Sequence, residues 1–322
     1  MLDPQARALL DLIENSGLPA MHTLDAPLAR QMYRERRAYS QPEAPAVAEI
    51  RDLPADGPAA AIPLRLIRPQ GTRTGDRLPV LVYYHGGGWT IGDLDTHATL
   101  CRQLANASGC AVVSVDYRMG PEHRFPAAVD DCLAATRGVR RHADELGIDA
   151  ARLAVGGDSA GGNVAAVVAI AARDAGDLPI VFQMLIYPAT DMRRIAASHE
   201  TNGRGYLLER ATIDWFHDQY IADPAQDLDW RASPLLREDL GGLPPALVLT
   251  AGYDPLRDEG LQYSARLAEA GNRVSHVCFE RQIHGFITMG RVIDEANAAV
   301  AFCATALREA ISTQACASRS SA

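Results

Sequence analysis

The stretch LAVGGDSAGGNVAAVVAIAAR, residues 153–173, joins an apolar run to a helix-forming run through a glycine-rich turn around Ser159. A G-x-S-x-G pattern between a strand and a helix is typical of a tight turn that exposes the serine hydroxyl. Gly157 and Gly161 leave the space that such a turn needs. The alternative is a turn in which the serine only caps the helix. The stretch has neither the Lys-Ser/Thr of a phosphate loop nor the G-x-G-x-x-G of a dinucleotide site.

Short apolar runs alternate with helix-forming segments on both sides of this turn. The predicted strands are Ile62–Ile67, Val80–Tyr84, Ala111–Val115, Leu153–Val155, Ile180–Tyr187, Ala246–Ala251 and Val274–Phe279. The predicted helices are Thr96–Ala105, Ala127–Leu146, Gly161–Arg173, Glu259–Ala270 and Arg291–Ile311. This alternation predicts an α/β fold with a mostly parallel central sheet and helices on both faces.

Two segments fall outside the alternation, and we predict that together they form a helical cap. The first is residues 1–45, which begins with an amphipathic helix, and the second is residues 189–229, a helix-prone insertion after a predicted strand. Ligands of open α/β sheets bind outside the carboxyl ends of the strands, so an insertion leaving such an end would cover the site. The core is then residues 46–188 and 230–322. The alternative is that the two segments pack independently of the site.

A second glycine cluster, HGGGW at residues 85–89, directly follows a predicted strand. Three consecutive glycines have a high cost in backbone entropy, which is justified where amides must approach a ligand closely. Acyl transfer builds negative charge on an oxygen, and preorganised amides stabilise that charge. We therefore predict that the amides of Gly87, Gly88 and Ala160 form an oxyanion hole.

The order of a serine, an acid and a histidine along the chain completes a predicted catalytic triad. His284 follows the last predicted strand, and Asp254 is the first acid after the preceding strand. We predict Ser159 as nucleophile, His284 as general base and Asp254 as the acid that orients the base. Asp258 and Glu259 are rival acids, but acids at those positions are expected to open the next helix.

Further residues near these motifs are candidates for supporting and pocket roles. His85, Gly86 and Asp158 are expected to support the glycine turns, and His85 is also a rival general base. Aromatic and apolar pocket candidates, each of which also fits an ordinary core role, are Tyr83, Tyr84, Trp89, Tyr187, Leu207, Leu208, Ile213, Trp215, Phe216 and Phe286.

Composition excludes several classes of protein. Lys plus Arg is 31 and Asp plus Glu is 40, so the formal charge of −9 makes a nucleic-acid partner unlikely on electrostatic grounds. No apolar run approaches the length of a membrane span, and the N-terminus lacks the pattern of a signal peptide. Six cysteines without a CxxC pair favour buried, reduced thiols and a cytoplasmic protein. We find no zinc-binding spacing and expect no metal or organic cofactor.

Together, these motifs resemble those of the bacterial hormone-sensitive-lipase family of carboxylesterases. The matching stretches, in chain order, are HGGGW at 85–89, YRMGPEHRFPAA at 117–128, GDSAGG at 157–162, DPLRDE at 254–259 and HGF at 284–286. The N-terminal LDP at 2–4 is similar as well. The form around Ser159 is that of the Gly-Asp-Ser-Ala-Gly branch. One departure is ERQI at 280–283, where the family often has a small residue, and we expect it to affect the leaving-group side of the pocket.

The resemblance implies an α/β-hydrolase fold, a two-part cap, hydrolysis of short- to medium-chain acyl esters and a homodimer. An amidase or another acyl-transfer hydrolase would share the same triad and remains an alternative. A second alternative is a ligand receptor on the same fold, as in the plant gibberellin receptors, which have lost the histidine that is present here. An interfacial lipase fits poorly because the segment 189–229 is rich in charged residues.

Overall fold

A computed structural model describes residues 1–73 and 75–319. In the last helix, side chains are described only up to residue 312. It contains one eight-stranded sheet. The strands are β1 (Glu49–Ala55), β2 (Ile62–Arg68), β3 (Leu78–Tyr84), β4 (Ala111–Val115), β5 (Ile148–Asp158), β6 (Ile180–Ile186), β7 (Ala246–Tyr253) and β8 (Val274–Ile283). Their order across the sheet is β1-β2-β4-β3-β5-β6-β7-β8.

The helices of the described chain connect and cover these strands. They are α1 (Pro4–Glu14), α2 (Ala26–Ser40), α3 (Ala98–Ser108), α4 (Ala127–Arg141), α5 (Ala143–Leu146), α6 (Ala160–Ala175), α7 (Ser198–Thr201), α8 (Arg210–Tyr220), α9 (Arg257–Glu269) and α10 (Asp294–Arg319). Short 3₁₀ helices lie at Met21–Thr23, Pro224–Leu228, Pro234–Leu236 and Phe286–Thr288.

The predicted mostly parallel sheet flanked by helices is confirmed. β3 to β8 pair in parallel, whereas β1 and β2 form antiparallel pairs at one edge. The middle strands are buried on both faces, which explains their continuously apolar sequences. Two apolar clusters, one on each face of the sheet, form the core.

All seven predicted strands are present, and one further strand was missed. β1 is mostly exposed, and its sequence, EIRDLPA, interrupts the apolar residues with three charged ones, so no continuous apolar run marked it. An edge strand that mostly faces solvent does not need such a pattern, because ladder hydrogen bonds to β2 and the packing of Leu53 and Ala55 hold it. The single helix predicted over Ala127–Leu146 is divided into α4 and α5, which meet at His142.

Helix α2 and the turn before it pack against the segment 189–229 outside the two main clusters, whereas α1 packs on one of those clusters. A third apolar cluster joins residues of both segments to the loop after β3: Met21, Leu24, Ala29, Tyr33, Ile91, Leu208, Ile213, Trp215, Phe216 and Leu256. The side chains of His22 and Thr212 hydrogen-bond across 3.3 Å. The segment 189–229 is less helical than expected, with only α7, α8 and one 3₁₀ turn.

The five cysteines whose side chains are described are free, and four of them are buried. Cys316 lies outside the residues with described side chains. Within the described chain, none of the helices combines the length and apolar character that crossing a bilayer requires.

Candidate active site

Four residues singled out in the sequence each stand directly after the end of a strand. His85 follows β3, Ser159 follows β5, Asp254 follows β7 and His284 follows β8. Since these four strands are parallel members of one sheet, their carboxyl ends lie at the same edge. Topology therefore collects residues that are far apart along the chain at one place.

Ser159 occupies a strained turn between β5 and α6. Its backbone angles are φ 56° and ψ −117°, outside the regions that non-glycine residues ordinarily adopt. A methyl group at Gly161 would overlap the Tyr84 carbonyl oxygen, and one at Gly157 would overlap the same oxygen. The two flanking glycines are thus required by close approach of the backbone of β3.

The side chains of Ser159, His284 and Asp254 form a hydrogen-bonded row. Ser159 Oγ lies 2.9 Å from His284 Nε2, and His284 Nδ1 lies 2.7 Å from Asp254 Oδ2. A carboxylate only accepts, so the Nδ1 proton is donated to Asp254, which leaves Nε2 to accept the serine proton. Asp254 is fully buried, and its Oδ1 accepts a 2.8 Å bond from the Leu256 amide.

The two rival acids are not part of this hydrogen-bonded row. Asp258 and Glu259 belong to the first turn of α9, where acids are favoured by the helix dipole. Asp258 accepts from the Ser198 amide, and Glu259 pairs with His199 across 2.7 Å. Their carboxylates are therefore engaged with α7 in the described structure.

The glycine loop after β3 has the geometry of an anion-binding loop. Gly87 and Gly88 have φ of 127° and 56°, and a side chain at Gly87 would overlap the Ile91 carbonyl oxygen. The Gly87 and Gly88 amides donate no hydrogen bond to any part of the chain that the structure describes. Both residues line the same cavity as Ser159 and His284, so the two donors are available to a bound group.

His85, Gly86 and Asp158 form a buried network beneath this loop. Asp158 Oδ1 accepts from the Tyr83 hydroxyl at 2.7 Å and from the Gly86 amide at 3.0 Å. It also lies 3.4 Å from His97 Nε2. Burial opposes ionisation of Asp158, but the neighbouring His97 and the Tyr83 hydroxyl hold its pKa well below the usual value.

His85 is buried and does not line the cavity that Ser159 and His284 share. Its ring stacks on Tyr117 at 4.4 Å between centroids, and Nδ1 lies 2.9 Å from the Gly86 carbonyl oxygen. Burial, followed by the neighbouring His97, lowers its pKa to about 4. These contacts fit a structural role and leave His284 as the imidazole beside the serine.

A cavity of about 990 Å³ opens onto Ser159 and His284. Its lining is mainly apolar, and its walls come from α1, α2 and the segment 189–229, with charged residues Arg7, Glu14, Arg36, Arg194 and Glu209 among them. Of the pocket candidates, Trp89, Leu207, Leu208, Ile213 and Phe216 line it. A cavity of this size suits a small organic molecule.

The assignment of Tyr187 and Phe286 to the pocket was wrong, because both lie behind the site. Tyr187 is 1% exposed and its ring packs against the His284 imidazole at 4.6 Å, while Phe286 is fully buried. Tyr83 and Tyr84 are core residues of β3. Residues 280–283 form the end of β8 and do not line the cavity, so the expected effect on its leaving-group side is not supported.

The sequence analysis also missed residues that hold the loop of Asp254. Ser198, His199 and Asn202, in and just after α7, all bond to residues 252–259. No local motif marks them, since their partners are fifty or more positions away. Among the described residues, no group of His, Cys, Asp or Glu is arranged to hold a metal ion.

Comparison with known proteins agrees with this geometry. A family model described as alpha/beta hydrolase fold matches residues 81–288. The protein belongs to this α/β-hydrolase family. The hydrolase is 43% identical to a carboxylic ester hydrolase, LipN, of Mycobacterium tuberculosis, over 89% of this chain and 77% of that protein. It is 41% identical to an ethyl acetate hydrolase of Pseudomonas putida, over 96% and 99% of the two chains.

Two solved structures similar to this hydrolase are those of an ester-hydrolase and an esterase. An ester-hydrolase, EH1AB1, from the metagenome of Lake Arreo superposes with a TM-score of 0.93 at 47% identity, over 96% of this chain and 99% of that one. A thermostable esterase from Pseudomonas putida gives a TM-score of 0.93 at 35% identity, over 96% and 98% of the chains. The family resemblance found in the motifs is therefore confirmed.

Proposed function

We propose that this hydrolase is a serine carboxylesterase that cleaves short- to medium-chain acyl esters through an acyl-enzyme intermediate. The observation that carries the proposal is the row from Ser159 Oγ to His284 to Asp254, at 2.9 Å and 2.7 Å. The row opens onto a mainly apolar cavity. The names of the similar proteins, which are ester hydrolases, support the same reaction.

The first half of the reaction forms the acyl-enzyme. Ser159 Oγ bonds to the ester carbonyl carbon while His284 Nε2 takes the hydroxyl proton. The carbonyl π electrons move to oxygen, and the Gly87, Gly88 and Ala160 amides stabilise the resulting oxyanion. When the carbonyl re-forms, the carbon–oxygen bond to the alcohol breaks and His284 returns its proton to the alcohol oxygen.

The second half repeats these steps with water. His284 takes a proton from water as the water oxygen bonds to the acyl carbon, and the oxyanion forms again on the same amides. Collapse breaks the bond to Ser159 Oγ, which regains a proton from His284, and the carboxylic acid leaves. In both halves Asp254 accepts the Nδ1 proton, fixing the imidazole and stabilising its charged form.

Residues 1–45 and 189–229 act in this proposal as a two-part cap over residues 46–188 and 230–322. Its support is the shared apolar cluster and the contribution of both segments to the cavity wall. The charged residues of that wall favour small dissolved esters over a lipid surface.

We also propose a cytoplasmic homodimer. The free cysteines and the position of β8 at the edge of the sheet are consistent with these two properties.

An acyl-length series of p-nitrophenyl esters on wild type, Ser159→Ala and Ser312→Ala tests the reaction. We expect Ser159→Ala to lose on the order of 10⁴-fold in kcat or more. Ser312, on the exposed side of α10, is a matched control and should retain full activity. Absence of ester turnover by the wild type, or full activity of Ser159→Ala, would rule out the proposal.

The corresponding p-nitroanilides address the amidase alternative. An amide has a poorer leaving group, so a site built for esters should turn the anilides over much more slowly than the matching esters. Comparable rates on both series would favour the amidase. Light scattering on a sizing column decides between a dimer and a monomer.

A further inference from the structure

The loop that carries Asp254 is hydrogen-bonded to α7, a helical turn of the segment 189–229. Ser198 Oγ donates to the Pro255 carbonyl oxygen at 2.5 Å, and the Ser198 amide donates to Asp258 Oδ2 at 2.9 Å. The Asp258 amide in turn donates to Ser198 Oγ at 3.1 Å. These bonds fix the start of α7 on the turn between Asp254 and α9.

A buried contact between His199 and Glu259 fixes the same helical turn a second time. His199 Nε2 lies 2.7 Å from Glu259 Oε2, and both side chains are 1% exposed. Glu259 Oε1 accepts from the Thr190 amide at 2.7 Å and from the Asp191 amide at 3.3 Å. The start of the segment 189–229 and α7 are thereby both bound to the first turn of α9.

Asn202, directly after α7, contacts the backbone of Asp254 itself. Its side-chain amide donates to the Asp254 carbonyl oxygen at 3.1 Å and to the Gly252 carbonyl oxygen at 3.2 Å. The two bonds span the end of β7, where the chain turns away from the sheet. Asn202 is 7% exposed, so solvent offers little replacement for its amide.

We infer that Asn202 is a positioning residue for Asp254, and that the segment 189–229 thereby helps to set the geometry of the Asp254–His284 pair. Asp254 Oδ1 is held by the Leu256 amide and Oδ2 by His284, so the direction of the carboxylate follows from the path of residues 252–256. Asn202 joins two carbonyl groups on this path. A shift of about 1 Å in a catalytic array can reduce turnover by about 10²-fold.

The inference rests on the proposed function and is tested with Asn202→Asp and Asn202→Ala. Asp has the shape of Asn, but its carboxylate cannot donate to a carbonyl oxygen. We expect kcat for p-nitrophenyl butyrate to fall roughly 10- to 100-fold, with KM within about threefold of wild type. We also expect displacement or loss of the far-downfield proton NMR signal of His284 Nδ1–H, which reports directly on the pair with Asp254.

Asn272 provides a matched control, because it lies just before the start of β8, at the edge of the sheet opposite to Asp254. Its side-chain amide also bridges two carbonyl oxygens, those of Leu240 at 2.7 Å and Leu267 at 2.8 Å. Asn272→Asp and Asn272→Ala should lower stability while keeping kcat and the NMR signal close to wild type.

The inference is overturned if the Asn202 variants lose no more kcat than the Asn272 variants, or if kcat falls while the signal is unchanged. If Asn202→Asp does not fold, Asn202→Ala decides by the same criteria. The signal needs no turnover, so it tests the inference even if the wild type proves inactive on esters.

Discussion

The ring of Phe216 lies directly against the Cα of Gly88, so closely that a methyl group at Gly88 would overlap it. Phe216 belongs to α8, whereas Gly88 belongs to the loop after β3. An aromatic residue of the segment 189–229 thus packs on a glycine whose amide is assigned to the oxyanion hole, and both residues line the cavity.

Gly88→Ala is expected to reduce kcat by about 10²- to 10³-fold, the range seen when one oxyanion donor is lost. The added methyl would meet Phe216, and the φ of 56° would be strained with any side chain. Gly176→Ala is the matched control because Gly176 has φ 64° in open space at the end of α6. It should lose roughly 1 kcal/mol of stability and no activity. Equal kcat in the two variants would refute the role of Gly88.

Asp158→Asn is expected to reduce kcat about 10-fold through the glycine loop, because the Gly86 amide and Tyr83 hydroxyl both bond Asp158 Oδ1. Asp131→Asn is the control for the loss of a buried carboxylate. Asp131 is 1% exposed and accepts two bonds from the Arg118 guanidinium, away from the site. Both variants should lose about 3 kcal/mol in urea unfolding. A normal kcat for Asp158→Asn would show that the loop does not depend on this carboxylate.

The stability of the fold should decrease in mild acid through His85. Its pKa falls to about 4 in the folded protein, chiefly through burial, whereas an unfolded histidine has a pKa near 6.5. Between these values the unfolded chain binds the proton and the folded protein does not. The contribution of neutral His85 to the free energy of unfolding is therefore fully present above about pH 6.5. It is lost as the pH falls towards about 4.

Urea unfolding followed by tryptophan fluorescence measures this contribution. Between about pH 7 and pH 5, His85 should account for a loss of about 2 kcal/mol in the free energy of unfolding. His85→Gln has no titrating group and should show a correspondingly smaller loss over the same interval. Identical pH dependence in the two proteins would contradict the assignment.

The buried thiols should be unreactive in the native protein. Burial raises the pKa of Cys101 and Cys303 to about 12 and that of Cys110 to about 11, so little thiolate forms at neutral pH. Cys278 is partly exposed. In a Cys316→Ser background, a chromogenic disulfide reagent should modify only Cys278 in the native protein. In urea, the same reagent should modify all five remaining thiols. Rapid native labelling of Cys101 would show that the core opens.

Local sequence patterns predict most of the strands and helices of the core and the residue types of the candidate site. Ser159, Gly87 and Gly88 stand in local patterns that only tight turns or close backbone approach require, and the alternation of apolar runs with helices predicts the sheet. Asp254 and His284 could be selected because parallel strands bring the residues after their ends to one edge. The first inference depends on local sequence motifs, and the second depends on the parallel arrangement of the strands.

The packing of the elements, by contrast, sets which side chains face the cavity and which groups support the site. Tyr187 and Phe286 are aromatic like Phe216, but the packing of His284 and β8 places them behind the cavity. Asn202 bonds to Asp254 across 52 positions of the chain, so no local pattern indicates it. Orientation and long-range hydrogen bonding depend on how the elements pack, and a linear pattern of residue types carries neither.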